Sequence, residues 1–173
     1  MEHKEVLLIG FGELTEKLKG LLEQADLEVM VFGEEDISQT VGQLVLSGGN
    51  KEPGTALERG LAMFHNFSRE ELDPVLKVLR EAGIPRQPLK AMVTPTNWHW
   101  RVRDLLKELQ QEQQIMGELI KLKQLHDTIP MPAFTDIPAM KVWMAAQVQL
   151  SGGESVTVET IRSAYEGLLK LKK

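Results

Sequence analysis

The chain has 173 residues, no cysteine and a formal net charge of -5 at pH 7. A chain of this length buries a hydrophobic core without disulfides, and the lack of cysteine excludes thiol nucleophiles, thiolate metal sites and cysteine redox chemistry. The acidic charge disfavours general binding to nucleic acids and to anionic membranes. No signal peptide or membrane-spanning segment is evident, so the sequence predicts a cytoplasmic protein that does not bind membranes.

Positive and negative charges are unevenly distributed along the chain. Residues 1–64 hold twelve acids and five bases, whereas residues 65–173 hold thirteen acids and fifteen bases. One stretch carries four bases without an intervening acid, and two tryptophans and a histidine lie among them: Arg86, Lys90, Arg101, Arg103, Trp98, His99 and Trp100. Such a pattern occurs in protein surfaces that bind nucleic acids. The acidic first half of the chain, however, would repel a polyanion, so a solvated basic face is the favoured interpretation.

A strand, a helix and a second strand are predicted at the start of the chain. Val6–Ile9 is fully apolar and ends at a glycine, which is typical of a buried strand entering a tight turn. Leucines recur at helical spacing over Glu13–Gln24, and Glu28–Phe32 follows as a second strand. Asp36 is then the expected N-cap of another helix, and Ser47–Thr55 is the expected surface loop.

The same order of elements is predicted a second time. Leu61–Phe64 is a strand candidate, and Ser68 with Glu71 forms a capping-box pattern at the start of an amphipathic helix. Glycine followed by proline ends that helix near Pro85, and Leu89–Val93 is a fourth strand. Two βαβ units are therefore expected.

Helices are predicted for the rest of the chain. One long helix from about Trp98 to about Leu125 carries a near-heptad apolar stripe, which requires a partner helix. Ile129–Pro138 contains three prolines and is expected to be a stiff connector. Asp136 is the expected cap of the next helix, and a last amphipathic helix contains Val158.

These elements predict an α/β fold in which two βαβ units form a four-stranded sheet with packed helices, plus a C-terminal helical extension. The expected domains are an α/β core over residues 1–97 and a helical segment over residues 98–173, packed on the core or on a partner chain. The strand order stays open. A parallel open sheet is favoured by the alternation of strands and helices, and a ferredoxin-like α+β sandwich is the alternative.

The turn after the first strand is one candidate ligand site. Gly10-Phe11-Gly12 lies between a strand and a helix, as a phosphate-binding turn does. The dinucleotide-binding motif is incomplete, because Thr15 stands in place of its third glycine and Glu13 places negative charge in the first turn. A structural tight turn is the favoured interpretation.

The segment from Thr94 to Trp100 is the other candidate site. Two hydroxyls, an amide and two indoles meet there at a strand end and a helix start, where α/β sheets often bind ligands. Helix capping by Thr96 or Asn97, with one of the indoles packed on the sheet as core, explains the same residue types and is favoured.

A distinctive combination of short motifs spans about residues 61–110. These motifs are Phe67-Ser68-Arg69-Glu70-Glu71-Leu72, Ala82-Gly83-Ile84-Pro85, Pro88-Leu89-Lys90-Ala91, Thr94-Pro95-Thr96-Asn97 and Trp100. The combination resembles an uncharacterised bacterial domain, classified only as a domain of unknown function. The resemblance implies that Lys90, Thr94, Asn97 and Trp100 are characteristic positions of that family, and it implies no activity.

Two functional hypotheses follow from these patterns. The favoured one is a non-enzymatic regulatory or interaction protein, a homodimer or the partner of another protein, with its specific surface at Lys90–Trp100. The alternative is a nucleotide-binding or small-anion-binding protein, or an enzyme, whose ligand lies between the Gly10 and Thr94–Asn97 turns with Lys90 as counter-charge. No metal site is expected, because the four histidines lack ligand spacing. No catalytic residue and no cofactor are predicted. The candidate ligand-binding residues are Gly10, Gly12, Lys90, Thr94, Thr96, Asn97 and Trp100.

Overall fold

The computed structural model describes residues 3–153 and 155–172. They form two compact units, of which the first ends at Leu109 and the second begins at Gln110. The strands are β1 (Glu5–Ile9), β2 (Glu28–Phe32), β3 (Leu61–His65) and β4 (Leu89–Met92), and the helices are α1 (Thr15–Glu23), α2 (Val41–Ser47), α3 (Arg69–Glu81), α4 (Val102–Asp127), α5 (Ile137–Ser151) and α6 (Val158–Leu171).

The first unit contains one four-stranded sheet with the order β2-β1-β3-β4. β1 pairs in parallel with β2, and β3 pairs in parallel with β4, so the two predicted βαβ units are confirmed. β1 and β3, however, are antiparallel neighbours in the centre of the sheet. The favoured parallel sheet is therefore wrong. The ferredoxin-like order is also wrong, because that order splits the strands of each βαβ unit, which are neighbours here.

The connection between β2 and β3 explains the antiparallel centre of the sheet. It starts after Phe32 and returns to the same end of the sheet, where the main-chain N–H of Leu57 donates to the carbonyl of Gly10. The predicted loop after α2 makes this return, and the Thr55 carbonyl accepts a hydrogen bond from the Glu34 N–H. Although α2 lies between β2 and β3, the loop after α2 returns the chain to the end of the sheet where β2 finished. β3 therefore starts at that end and runs antiparallel to β1.

Apolar residues cover both faces of the sheet. Side chains alternate along each strand, so Leu7 and Ile9 face α2 and the start of α4, whereas Val6 and Leu8 face α1 and α3. Both sets are fully buried. The first turns of α4 thereby contribute to the core of the first unit, with Val102, Leu105 and Leu106 buried.

The caps of two helices test the local sequence signals. The Ser68 hydroxyl accepts from the N–H of Glu71 and the Glu71 carboxylate accepts from the N–H of Ser68, so the predicted capping box is confirmed. The predicted N-cap Asp36 is wrong, because α2 begins at Val41 and is capped by Thr40. The Asp36 carboxylate instead turns back to the N–H of Gly33 at 2.9 Å.

The long helix α4 begins four residues later than expected. Residues 97–99 form a separate turn of 3-10 helix, and Trp100 has an extended backbone. The Trp100 carbonyl accepts from the N–H of Val41, and the Val102 N–H donates to Gln39. These bonds to the segment before α2 hold residues 100 and 101 out of the helix, which begins at Val102.

The second unit has a small helical core formed by residues of α4, α5 and α6. Asp136 caps α5 by accepting from the N–H of Ala139, as predicted. The predicted connector ends earlier than expected, because Pro138 lies in the first turn of α5. No described helix combines the length and apolar character needed to cross a bilayer. The buried residues of this core are Leu122, Leu125, Ala146, Ile161 and Leu168.

The Gly10 turn requires glycine for two reasons. Gly10 has a positive φ of 71°, and a Cβ atom there would lie 2.4 Å from Leu57. Gly10→Ala should therefore lower the free energy of unfolding by at least about 2 kcal/mol, measured by urea denaturation. Gly20→Ala is the matched control, because α1 leaves open space at that position. It should raise the stability by about 0.5–1 kcal/mol, and equal effects of the two changes would contradict this account.

Glu71 makes the stability depend on pH. Its hydrogen bonds to Lys4 and to Ser68 lower its pKa from 4.5 to about 2. A carboxyl group whose pKa is lower in the folded state stabilises the fold above its unfolded pKa, and this contribution is lost as the pH falls through its folded pKa. Between about pH 4.5 and about pH 2, the wild type should therefore lose more stability than Glu71→Gln, which keeps an oxygen acceptor for the cap.

Acid denaturation followed by circular dichroism measures this difference. Glu70→Gln removes the neighbouring acid from the same turn and is the control. If Glu71→Gln and Glu70→Gln followed the same pH profile, the Lys4 contact would not be the cause.

Candidate functional site

The two candidate turns lie at opposite ends of the sheet. Ile9 pairs with Leu61, and Leu61 pairs with Leu89 at the start of β4. The Gly10 turn therefore lies beside the beginning of β4, whereas the Thr94 turn follows its end. The hypothesis of one pocket between these turns is wrong, and the antiparallel pairing of β1 with β3 is the reason.

The Thr94–Asn97 turn is held together by its own polar groups. The Asn97 side-chain oxygen accepts from the N–H of Thr94 at 2.9 Å, and the Thr94 hydroxyl accepts from the N–H of Asn97 at 3.2 Å. The Asn97 amide nitrogen also donates to the Met92 carbonyl at 2.8 Å. Asn97 is buried. These contacts give Thr94 and Asn97 a structural role at the end of β4.

The neighbouring aromatic residues pack within the first unit. Trp98 lies against α2, where a Cβ atom on Gly42 would meet its indole, and its ring centroid is 6.0 Å from that of His65. Trp100 is half-buried and packs against the core that contains Leu7 and Leu89. Thr96 is exposed and its side chain makes no capping bond.

A cleft opens at the other end of the sheet, beside the Gly10 turn. Its volume is about 250 Å³, and its lining includes Gly10, Phe11, Arg59, Ile84 and Arg86. Gly12 belongs to the same turn, with a positive φ and a close approach to Ala56. The cleft therefore combines a glycine turn, apolar walls and two guanidinium groups. We call it the Gly10 cleft.

Four cations affect one another's charge, and two of them, Arg59 and Arg86, line the Gly10 cleft. Burial lowers the pKa of Lys90, and the charges of Arg80 and Arg59 lower it further. Burial and the charge of Arg86 likewise lower the pKa of Arg59. We call Arg59, Arg80, Arg86 and Lys90 the cationic cluster. The Arg59 guanidinium also donates to the Gln87 carbonyl at 2.6 Å, and the Arg86 guanidinium lies 3.2 Å from the Glu58 carboxylate, so two of these charges already have partners.

The sequence indicated only part of this cluster. Arg86 and Lys90 belong to the basic stretch seen in the sequence, but Arg59 and Arg80 come from other segments. The main chains of Arg101 and Arg103 pair instead with the segment before α2, at Thr40 and Ile37. A search for cations at the ends of neighbouring predicted strands would have found Arg59, which precedes β3.

Metal coordination has no support among the described residues. Within residues 3–153 and 155–172, no three His, Asp or Glu side chains are placed to hold an ion. The cationic cluster would repel a metal ion and attract an anion.

Replacing Asn97 tests its structural role. Asn97→Ala would leave the Thr94 N–H and the Met92 carbonyl without partners, so the free energy of unfolding should fall by about 2–4 kcal/mol. Thr96→Ala changes the adjacent exposed residue, and its free energy of unfolding should stay within about 0.5 kcal/mol of the wild-type value. Urea denaturation measures both, and equal values for the two variants would contradict the role given to Asn97.

The comparisons with known proteins agree with the resemblance seen in the sequence. Neither the curated proteins nor the solved structures gave a match to this chain. A family model does match, and the matched residues include β3, α3, β4 and the first part of α4. Residues 61–116 of this chain match the family described as a domain of unknown function, DUF3783.

Proposed function

We propose that this protein is a non-enzymatic interaction protein that associates with a second copy of itself through the outer face of α5. The observation that carries this proposal is the apolar character of α5 on both of its sides. A helix that is apolar all round is normally buried all round. The bacterial, cytoplasmic setting expected from the sequence is part of the same proposal.

The inner side of α5 packs within the second unit. Ala146 is fully buried, and Val142, Trp143 and Leu150 pack partly against the same core. The Trp143 indole N–H donates to the carbonyl of Ile129 at 3.3 Å. This side of α5 is therefore already occupied.

The outer side of α5 carries a second apolar stripe. Ile137, Met144 and Val148 are 60%, 55% and 58% exposed. With Lys141 they follow the spacing i, i+4, i+7 and i+11, which places them along one face of the helix. We call this stripe the outer face of α5. Exposed apolar residues gathered on one face are typical of interaction surfaces.

A second copy is the favoured partner because of charge. Residues 110–173 hold seven acids and seven bases, so two copies of this segment approach without net repulsion. Lys141 is the only charged residue of α5, and a long side chain of this kind keeps its ammonium group in water while its stem covers apolar surface. A twofold interface would place the same stripe on both copies.

The Lys90–Trp100 surface gives less support to an interaction role. Asn97 and Thr94 form two hydrogen bonds with each other, and Trp100 is half-buried in the core of the first unit. These side chains offer little free polar or apolar surface to a partner. The proposal therefore depends on the outer face of α5.

Charge placed on the outer face of α5 should abolish self-association. In Met144→Glu, a carboxylate would have to be buried at the interface, so the dissociation constant of the dimer should rise by at least about tenfold. Sedimentation velocity over a range of protein concentrations measures this change. Because Met144 is exposed, circular dichroism should show an unchanged fold.

Leu46→Glu is the matched control for this experiment. Leu46 is 79% exposed and lies on α2 in the first unit, so the same change of apolar residue to glutamate should leave association unchanged. High salt should not weaken the dimer, since apolar burial is not screened. A wild type that stays monomeric at submillimolar concentration would contradict the proposal, as would equal dissociation of both variants.

A further inference from the structure

A second cleft opens at the start of α4. Its volume is about 510 Å³, and its lining consists of His99, Trp100, Arg101, Asp104 and Glu108. This volume lies within the usual range of roughly 300–1,000 Å³ for small-molecule pockets. We call it the Trp100 cleft. Its lining belongs to the first unit, so the cleft is separate from the outer face of α5.

The main chain holds the aromatic wall of the Trp100 cleft in place. Trp100 packs partly against the core of the first unit, and its carbonyl accepts a hydrogen bond from the N–H of Val41. Arg101, the next residue, pairs with Thr40 through a β-bridge. An indole held in this way offers a preformed surface for an organic cation.

The charged side chains of the Trp100 cleft have no partners within the protein. Over residues 3–153 and 155–172, the side chains of Arg101, Asp104 and Glu108 make no hydrogen bond and no ion pair. The Gly10 cleft differs in this respect, because Arg59 and Arg86 already have partners there. The three charges of the Trp100 cleft are therefore available to a ligand.

The order of these charges along the chain restricts the ligand. Asp104 and Glu108 lie on one face of α4, about 6 Å apart along the helix axis. Arg101 immediately precedes the helix, which begins at Val102. The cleft thus presents one guanidinium group followed by two carboxylates, with an indole beside them, and its net charge is negative.

We propose that the Trp100 cleft binds a free basic amino acid, which is a small molecule with one carboxylate and two cationic groups. The planar guanidinium of Arg101 suits the ligand carboxylate. Asp104 and Glu108 suit the two cationic groups, and the apolar stem between them packs against the Trp100 indole. The net positive charge of such a ligand complements the net negative charge of the cleft.

The probe is L-lysine, added to the ¹⁵N-labelled full chain at constant ionic strength. The indole N–H resonance of Trp100 should shift in a saturable manner. The indole N–H of Trp143 donates to the Ile129 carbonyl within the second unit, so its resonance should not shift.

Three analogues of L-lysine each lack one charged group. Cadaverine lacks the carboxylate, norleucine lacks the side-chain ammonium, and Nα-acetyl-L-lysine lacks the α-ammonium. Each should bind about two- to fivefold more weakly than L-lysine, because one exposed ion pair is lost.

Substitutions assign each end of the ligand. Arg101→Gln should weaken the binding of L-lysine by about two- to fivefold and should not weaken that of cadaverine, which has no carboxylate. Asp104→Asn and Glu108→Gln should each weaken both ligands. Arg103→Gln is the matched control, since Arg103 is exposed but does not line the cleft. It should leave both affinities unchanged, and circular dichroism checks that each variant is folded.

The results separate a built site from general charge attraction. A saturable Trp100 shift that is strongest for L-lysine, and that loses its preference over cadaverine in Arg101→Gln, supports the site. The proposal is overturned if L-lysine gives no saturable shift or if Arg103→Gln weakens binding as much as Arg101→Gln. Equal binding of L-lysine and cadaverine or norleucine overturns it as well. Equal binding of Nα-acetyl-L-lysine also overturns it, because the ligand would then be the C-terminal lysine of a peptide and not a free amino acid.

Discussion

The antiparallel pairing of β1 with β3 determines where every candidate residue lies. Five residue pairs from Glu5–His65 to Ile9–Leu61 join the two βαβ units at the centre of the sheet. The pairing brings the end of β1 to the start of β3 and β4, which assembles the Gly10 cleft. The same pairing carries the Thr94 turn to the other end of the sheet. The pairing of β1 with β3 thus assembles the Gly10 cleft, and it excludes a pocket shared by the Gly10 and Thr94 turns.

Local signals in the sequence predicted most of the elements of the fold. β2 was predicted over its exact range, the Ser68 capping box and the Asp136 cap were correct, and both βαβ units were recognised. These features depend on neighbouring residues, so a single sequence contains them. The direction of β3 does not depend on its neighbours. It depends on contacts such as Leu57 with Gly10, which lie far apart in the chain.

The same distinction explains why the candidate site was only partly predicted. Gly10 and Lys90 were named from local patterns, and both lie at the end of the sheet where the Gly10 cleft opens. Arg59 and Arg80 come from a loop and from α3, and only the tertiary fold brings them to Lys90. Asn97 shows the opposite case. Its position suited a ligand or a helix cap, but its side chain bonds backward to Thr94 and Met92. The predicted helix cap by Thr96 or Asn97 is therefore wrong, because neither side chain bonds to the start of a helix.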